Sequence, residues 1–271
     1  MDIENLFLEV TRMCTLECEH CLRGDRRKEY MSTETINNAF KGVKKVDKLL
    51  ITGGEPLLAV KQINDIILAI RENNVKVKEI LIISNGTVIS ERIINVLTEL
   101  SKLGKLRLPI SYDYFHYLEL VRLGLLEKRQ HNAQVFTQLF ASGDYGSFEE
   151  PRCLNKLINP IGKTLKLSPE RLGEINRLSG INYRIASETE LKMLTDNEVE
   201  YDAETNSVDG RVSIDVYGNV TAYSLSFDSE DEEIYKYSSN INEIGLYRAI
   251  LNFIEYYNTK DKEDKKLEKV I

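Results

Sequence analysis

The sequence lacks a long apolar run and a secretory signal. No apolar stretch approaches the roughly 20 residues that a membrane-spanning helix needs. The first ten residues, MDIENLFLEV, have no basic segment before an apolar one. We therefore expect the 271-residue chain to be a cytoplasmic protein with no membrane partner.

Basic clusters are also scarce. The formal net charge is −7, and Lys and Arg are concentrated only at RGDRRK, residues 23–28. Nucleic-acid-binding surfaces need a strongly positive patch, so DNA and RNA partners are disfavoured. The composition, with 42% hydrophobic and 29% charged residues, is typical of a globular protein.

Strand-like and helix-like segments alternate over the first half of the chain. We predict strands at 5–11, 48–54, 79–86 and 105–113, each followed by a helix, at 32–46, 57–72, 90–103 and 114–128. This order is typical of an α/β fold with a parallel sheet. A further strand within 155–167 and a helix capped by Ser168 are predicted next.

The pattern changes near residue 180. The runs RVSIDVY and NVTAYSL predict a hairpin joined across residues 217–219, followed by a helix at 242–258. We therefore predict a core domain over residues 1–180 and a smaller α+β extension over residues 181–271.

Three of only four cysteines fall within eight residues, as Cys14, Cys18 and Cys21. In a reducing compartment, clustered thiols bind metal or do redox work more often than they form disulfides. This spacing lets three thiolates face one point after the first strand. A fourth ligand is missing, because Cys153 is distant in sequence and His20 would have to bend back sharply.

Three thiolates would leave one iron of a four-iron cluster open, and an open metal position is where a substrate or cofactor binds. The C-x3-C-x2-C motif, together with Gly53-Gly54-Glu55-Pro56 at the end of the second predicted strand, resembles the radical S-adenosylmethionine (radical SAM) superfamily. The resemblance implies a partial (βα)6 TIM-type barrel. It also implies a [4Fe-4S] cluster on Cys14, Cys18 and Cys21, with S-adenosyl-L-methionine (AdoMet) bound to the open iron.

The resemblance implies cofactor contacts as well: Gly53, Gly54, Glu55 and Pro56 for the methionyl amine, Ser84 and Asn85 for ribose and carboxylate, Asp113 for ribose, and His20 beside adenine. Glycines allow close backbone approach, and a carboxylate can accept hydrogen bonds from an ammonium. A tight turn at 84–87 and a helix cap at Asp113 are the structural alternatives. For His116 we favour a packing role over a contact with substrate.

The implied reaction is reductive cleavage of AdoMet to a 5′-deoxyadenosyl radical, which abstracts hydrogen from a peptide or small-metabolite substrate. An electron donor such as flavodoxin or ferredoxin is implied too. One alternative is an activating enzyme that installs a glycyl radical on a partner protein. Another is a non-catalytic iron–sulfur or zinc module for redox sensing or partner binding, in which the GGEP segment would have no role.

The C-terminal region resembles a SPASM/twitch-type extension whose cluster cysteines are replaced. Cys153 is the only cysteine outside the triad, so a second all-cysteine cluster is excluded by count. For Cys153 we expect a buried, inert thiol, with hydrogen-atom donation as the alternative.

Overall fold

The computed structural model describes residues 1–141, 147–149, 157–158, 163, 166–187, 199–221 and 239–267. Cys153 lies outside the described residues, so its inert role stays a prediction. In the described ranges, no helix combines the length and the apolar character needed to cross a membrane.

One mixed sheet organises the chain. The strands are β1 (Asp2–Thr11), β2 (Lys45–Gly53), β3 (Lys76–Ile82), β4 (Lys105–Pro109), β5 (Ser147–Glu149), β6 (Leu157–Ile158), β7 (Arg184–Ile185), β8 (Glu200–Asp202), β9 (Ser207–Ile214), β10 (Asn219–Thr221) and β11 (Ser239–Asn240). The main sheet has the order β11-β10-β9-β1-β2-β3-β4-β5, with β8 paired to β9. The six strands from β9 to β5 in this order run parallel. Within the described residues the sheet is open, as the predicted partial TIM-type barrel requires.

Helices connect successive parallel strands. They are α1 (Thr33–Phe40), α2 (Val60–Glu72), α3 (Glu91–Ser101), α4 (Tyr114–Arg122), α5 (Leu126–Ala141), α6 (Pro169–Ser179), α7 (Ile241–Ile244) and α8 (Leu246–Leu267), with a 3-10 turn at Pro56–Leu58. Polar side chains cap five of them by accepting a backbone N–H of the first turn: Ser32, Ser90, Asp113, Ser168 and Asn240. The predicted cap at Ser168 is confirmed.

Three predicted helices have different bounds, and a glycine with positive φ explains each. The helix expected over 32–46 ends at Phe40, because Gly42 has φ +79°. The helix expected over 114–128 is divided between α4 and α5 by Gly124, at φ +65°. The helix expected over 242–258 is likewise divided by Gly245, at φ +78°. Left-handed backbone cannot continue a right-handed helix.

The predicted hairpin is confirmed, and its first strand enters the main sheet. β9 and β10 pair antiparallel across a turn in which Gly218 N donates to Asp215 O over 3.1 Å. β9 also pairs in parallel with β1, so the sheet runs across the predicted boundary at residue 180. That boundary stays a prediction. β6, in the strand expected over 155–167, pairs with β7 outside the main sheet.

The two faces of the sheet differ in chemistry. Leu6, Leu8 and Val10 of β1 are fully buried in the core that the sheet forms with α1, α2 and α3. Side chains alternate along a strand, so Phe7 and Glu9 point to the opposite, inner face. The apolar outer face therefore stabilises the fold and leaves the inner face for other chemistry.

Truncating the outer face should destabilise the protein. Leu8→Ala removes a fully buried side chain and should lower the free energy of unfolding by about 2–5 kcal/mol. The matched control is Leu68→Ala, at a side chain that is 52% exposed, which should change it by about 0.5 kcal/mol or less. Urea unfolding followed by circular dichroism measures both. Equal losses in the two variants would contradict this picture of the core.

Candidate active site

The cysteine loop, residues 12–31, crosses the carboxyl edge of the sheet between β1 and α1. Its two ends are joined, because Met13 N donates to Thr11 Oγ1 over 3.0 Å and Thr11 Oγ1 donates to Glu29 O over 2.7 Å. A turn in which Cys21 N donates to Cys18 O over 3.1 Å forms the middle of the loop. The three cysteines therefore follow the first strand, as the sequence predicted.

The three thiols are free, with Cys18 buried and Cys14 and Cys21 half-buried. Burial raises the pKa of the Cys14 thiol to about 12, and the Glu55 carboxylate adds to the rise. Burial and the charge of Cys14 also raise the pKa of Cys18. Thiols that oppose one another's ionisation become thiolates when a cation lies among them. The donor set therefore fits a thiolate-bound iron–sulfur centre.

Helix α4 supports the loop from the side. Glu119 Oε1 accepts a hydrogen bond from Glu17 N over 3.0 Å. Leu120, fully buried, packs with Leu16 and Cys18 in a small apolar cluster. These contacts hold the middle of the loop against a rigid element.

Gly53 and Gly54 hold the start of the loop to the end of β2. Gly54 N donates to Thr11 O and Glu55 N donates to Met13 O, each over 2.8 Å. A Cβ on Gly53 would lie 2.4 Å from Thr11 O, and one on Gly54 would lie 2.4 Å from Met13 O. Only glycine permits this approach. Backbone hydrogen bonds therefore join the start of the cysteine motif to the Gly53-Gly54-Glu55 segment.

The Glu55 side chain connects this segment to the end of β3. Its side chain has no exposed surface. Oε1 accepts from Leu57 N over 3.0 Å and from Ser84 Oγ over 2.9 Å, and Oε2 accepts from Asn85 N over 2.7 Å. Pro56 begins the 3-10 turn that Glu55 caps. The carboxylate thus joins the ends of two neighbouring strands.

Asn85 reaches from the end of β3 to the cysteine loop. Its Nδ2 lies 3.5 Å from Cys14 Sγ and donates to Thr15 Oγ1 over 3.0 Å. Its Oδ1 accepts from the Thr87 hydroxyl over 2.7 Å. The segment 84–87 therefore forms the turn that was the structural alternative, and its Asn85 also contacts a cysteine of the triad. Sequence reasoning missed Thr15, since a threonine between two cysteines carries no distinctive signal.

Asp113 caps α4 and also meets two histidines. Oδ1 accepts from His116 N over 2.9 Å, while Oδ2 lies 3.0 Å from His20 Nε2 and 2.8 Å from His116 Nδ1. The capping alternative is confirmed. Burial opposes ionisation, but the two imidazoles outweigh it and hold the pKa of Asp113 well below its usual range. The His20 ring stacks on Phe115, with centroids 4.4 Å apart.

A charged cluster on the inner face was not predicted. Arg23 Nη1 lies 2.5 Å from Glu9 Oε1, and Arg23 Nη2 donates to Thr52 Oγ1 over 3.1 Å. Glu9 is 2% exposed. Glu9, a charged residue within the apolar strand LFLEVT, could have indicated this cluster, because a buried charge needs a partner of opposite charge.

Residues 8–138 match the family model of the Radical SAM superfamily. No curated protein matches the sequence. Radical SAM domains use a [4Fe-4S] cluster and AdoMet. The matched range includes the three free cysteines, Cys14, Cys18 and Cys21.

Several solved structures are similar to this chain. Native anSMEcpe with bound AdoMet and Cp18Cys peptide is 15% identical, with 92% of this chain and 84% of that chain covered and a TM-score of 0.46. SuiB of Streptococcus suis is 15% identical, with coverages of 89% and 64% and a TM-score of 0.43. SuiB bound to its precursor peptide SuiA is 16% identical, with coverages of 82% and 60% and a TM-score of 0.35. With TM-scores below 0.5, these likenesses do not bear on the function of this chain.

Gly54→Ala should prevent assembly of the metal centre. The new Cβ would lie 2.4 Å from Met13 O, so the start of the cysteine loop must move away. After anaerobic reconstitution, we expect bound iron to fall from about four per chain to a minor fraction of that. The control, Gly173→Ala in α6, meets nothing within 4 Å and should retain its iron. Equal iron content in the two variants would show that the close contact between Gly54 and the cysteine loop is not needed for iron binding.

The protonation of Glu55 should make stability depend on pH. Burial raises the pKa of Glu55 to about 7, although three hydrogen bonds oppose the rise. The folded chain therefore binds this proton more tightly than the unfolded chain. The resulting stabilisation is complete below about pH 4.5 and is lost as the pH rises through about 7.

Comparing wild type with Glu55→Gln isolates this effect from other titrating groups. The unfolding free energy of the wild type minus that of the variant should be larger at about pH 5 than at about pH 8. Urea unfolding of the cluster-free proteins measures this difference. A value that is the same at both pH values would show that Glu55 does not titrate in this range.

Proposed function

Because residues 8–138 form a radical SAM domain, we propose that this protein binds a [4Fe-4S] cluster through Cys14, Cys18 and Cys21 and reductively cleaves AdoMet. Bound there, a reduced cluster and AdoMet would supply one-electron cleavage of the carbon–sulfur bond of AdoMet, giving methionine and a 5′-deoxyadenosyl radical that would abstract hydrogen from a substrate. The supporting observation is the close join between the cysteine loop and Gly53-Gly54-Glu55.

The protein's own residues would position the cofactor. The triad provides thiolates, and the Asn85 amide, 3.5 Å from Cys14 Sγ, orients one of them. We propose that Gly53, Gly54, Pro56 and Ser84 present the polar edge on which the methionyl group and ribose lie. Glu55 is fully buried, so we assign it the role of orienting the ends of β2 and β3 around the amine.

Asp113 and His20 lie at the other side of the loop. The two side chains contact each other at 3.0 Å, and His20 directly precedes Cys21 in the sequence. We propose that Asp113 orients His20 and that the face of the His20 ring opposite Phe115 borders the adenine. The stacking of His20 on Phe115 holds the ring in one orientation.

We propose a polar substrate, a peptide or a small metabolite, on the inner face of the open sheet. Besides Glu9 and Arg23, this face has Arg107 in an ion pair of 2.8 Å with Glu79. Glu9 Oε2 is buried and has no hydrogen-bond partner among the described residues. A donor group of the substrate, such as an amide or an ammonium, would satisfy that oxygen.

An acidic electron donor such as flavodoxin or ferredoxin would meet a basic surface at the cysteine loop. Arg26, Arg27 and Lys28 are exposed a few residues after Cys21. Electron transfer needs the donor close to the cluster, and opposite charges speed such encounters. We propose this surface as the docking point.

The decisive experiment measures cleavage of AdoMet. The protein is reconstituted anaerobically with iron and sulfide, AdoMet and dithionite are added, and 5′-deoxyadenosine is quantified. We expect production by the wild type and by Cys153→Ala, and none by Cys14→Ala, Cys18→Ala or Cys21→Ala, because each of these removes an iron ligand.

The outcomes distinguish the alternatives. A chain that binds about four irons but releases no 5′-deoxyadenosine, with or without added peptides, would favour a non-catalytic cluster protein. Zinc in place of iron would refute the assignment of the cluster.

A further inference from the structure

Three side chains with metal-ligating atoms meet beside the cysteine loop without using a thiol. They are His20 from the loop and Asp113 and His116 from the start of α4. One ligand atom from each lies within 4.8 Å of the other two. His20 Nε2 and His116 Nδ1 both approach the same carboxylate oxygen, Asp113 Oδ2, at 3.0 Å and 2.8 Å.

The orientation of His116 is that of a ligand more than that of a hydrogen-bond donor. Its Nδ1 is buried and makes no hydrogen bond of acceptable geometry in the described structure, although Asp113 Oδ2 is 2.8 Å away. Ligand atoms about 2.1 Å from one tetrahedral ion lie about 3.4 Å apart and point at the ion, not at each other. The contacts to Asp113 Oδ2, at 3.0 and 2.8 Å, are shorter than this. Binding an ion would therefore move the two imidazoles away from the carboxylate by about half an ångström.

The surrounding structure holds these ligands in place. Asp113 Oδ1 is occupied by His116 N, the cap of α4, which leaves Oδ2 to face the imidazoles. His20 stacks on Phe115, and Phe115 packs edge-on against Tyr183 with centroids 5.3 Å apart. Supporting contacts of this kind fix ligand orientation and strengthen metal sites.

We propose that His20, Asp113 and His116 bind a divalent transition-metal ion, with Zn²⁺ as the best match. Two imidazoles and one carboxylate form a common zinc ligand set that keeps a fourth position open for water or a substrate oxygen. Nitrogen and oxygen donors suit Zn²⁺, while the thiolates nearby suit an iron–sulfur cluster. His20 and His116 are 20% and 17% exposed, so water can reach the site.

The site is separate from the cluster in its ligands. No cysteine contributes to it, and none of its three residues supplies a thiolate to the cluster. Filling one centre therefore uses none of the ligands of the other. The competing interpretation is a purely structural cluster in which two neutral imidazoles donate to Asp113, and that interpretation predicts no metal binding.

The test uses the full chain with its iron–sulfur cluster reconstituted, so that the thiolates are occupied. The protein is equilibrated anaerobically with Zn²⁺, freed of excess metal by gel filtration and analysed for zinc and iron by mass spectrometry. We expect about one Zn²⁺ and about four irons per chain. His116→Gln should lose the zinc and keep the iron.

His131→Gln is the matched control, because His131 is the third and last histidine of the chain and is exposed on α5. It should retain both metals. Zinc that is absent from the wild type, or retained equally by His116→Gln, overturns the proposal. Loss of iron alone would count against the cluster assignment and not against this site.

A second measurement tests the site without relying on the His116→Gln variant, which could lose zinc by misfolding. In the full chain carrying Cys14→Ala, Cys18→Ala and Cys21→Ala, Co²⁺ should give visible ligand-field bands without thiolate charge-transfer absorption. His20→Gln added to this chain should abolish the bands. Bands that persist would show that the cobalt lies elsewhere.

Discussion

The backbone contact between the end of β2 and the start of the cysteine loop is the constraint on which the site depends. Gly54 N and Glu55 N donate to Thr11 O and Met13 O, and the absence of two Cβ atoms permits it. The loop is long enough to adopt many conformations by itself. Holding its first turn to the sheet restricts where Cys14 can lie, and Cys18 and Cys21 then follow through the turn and the contact with α4.

Buried charge is concentrated at this edge and is partnered there. Glu55 accepts three hydrogen bonds, and Asp113 meets a helix N-terminus and two imidazoles. In a low-dielectric surrounding, an unpaired carboxylate would be strongly unfavourable. Each of these acids thus joins elements that are distant in sequence, and the same bonds give the carboxyl edge its shape.

The two faces of the sheet carry different kinds of side chains. Its outer face carries the aliphatic side chains that pack with the helices. Its inner face carries ion pairs, among them Glu9 with Arg23 and Glu79 with Arg107. Because side chains alternate along each strand, the same strand supplies apolar residues to the outer face and charged residues to the inner face. A substitution on the inner face therefore leaves the packing between the outer face and the helices in place.

The sequence by itself determined the α/β alternation and the positions of Cys14, Gly54 and Asn85 at strand ends, because carboxyl ends of parallel strands meet at one edge. Helix bounds were missed at Gly42, Gly124 and Gly245, since periodicity does not reveal a positive φ. Only the tertiary structure decided that β9 joins β1, that Glu55 bonds Ser84, and that His20 turns to Asp113. Those contacts join residues far apart in the chain, and their partners are chosen by packing, which local sequence patterns do not encode.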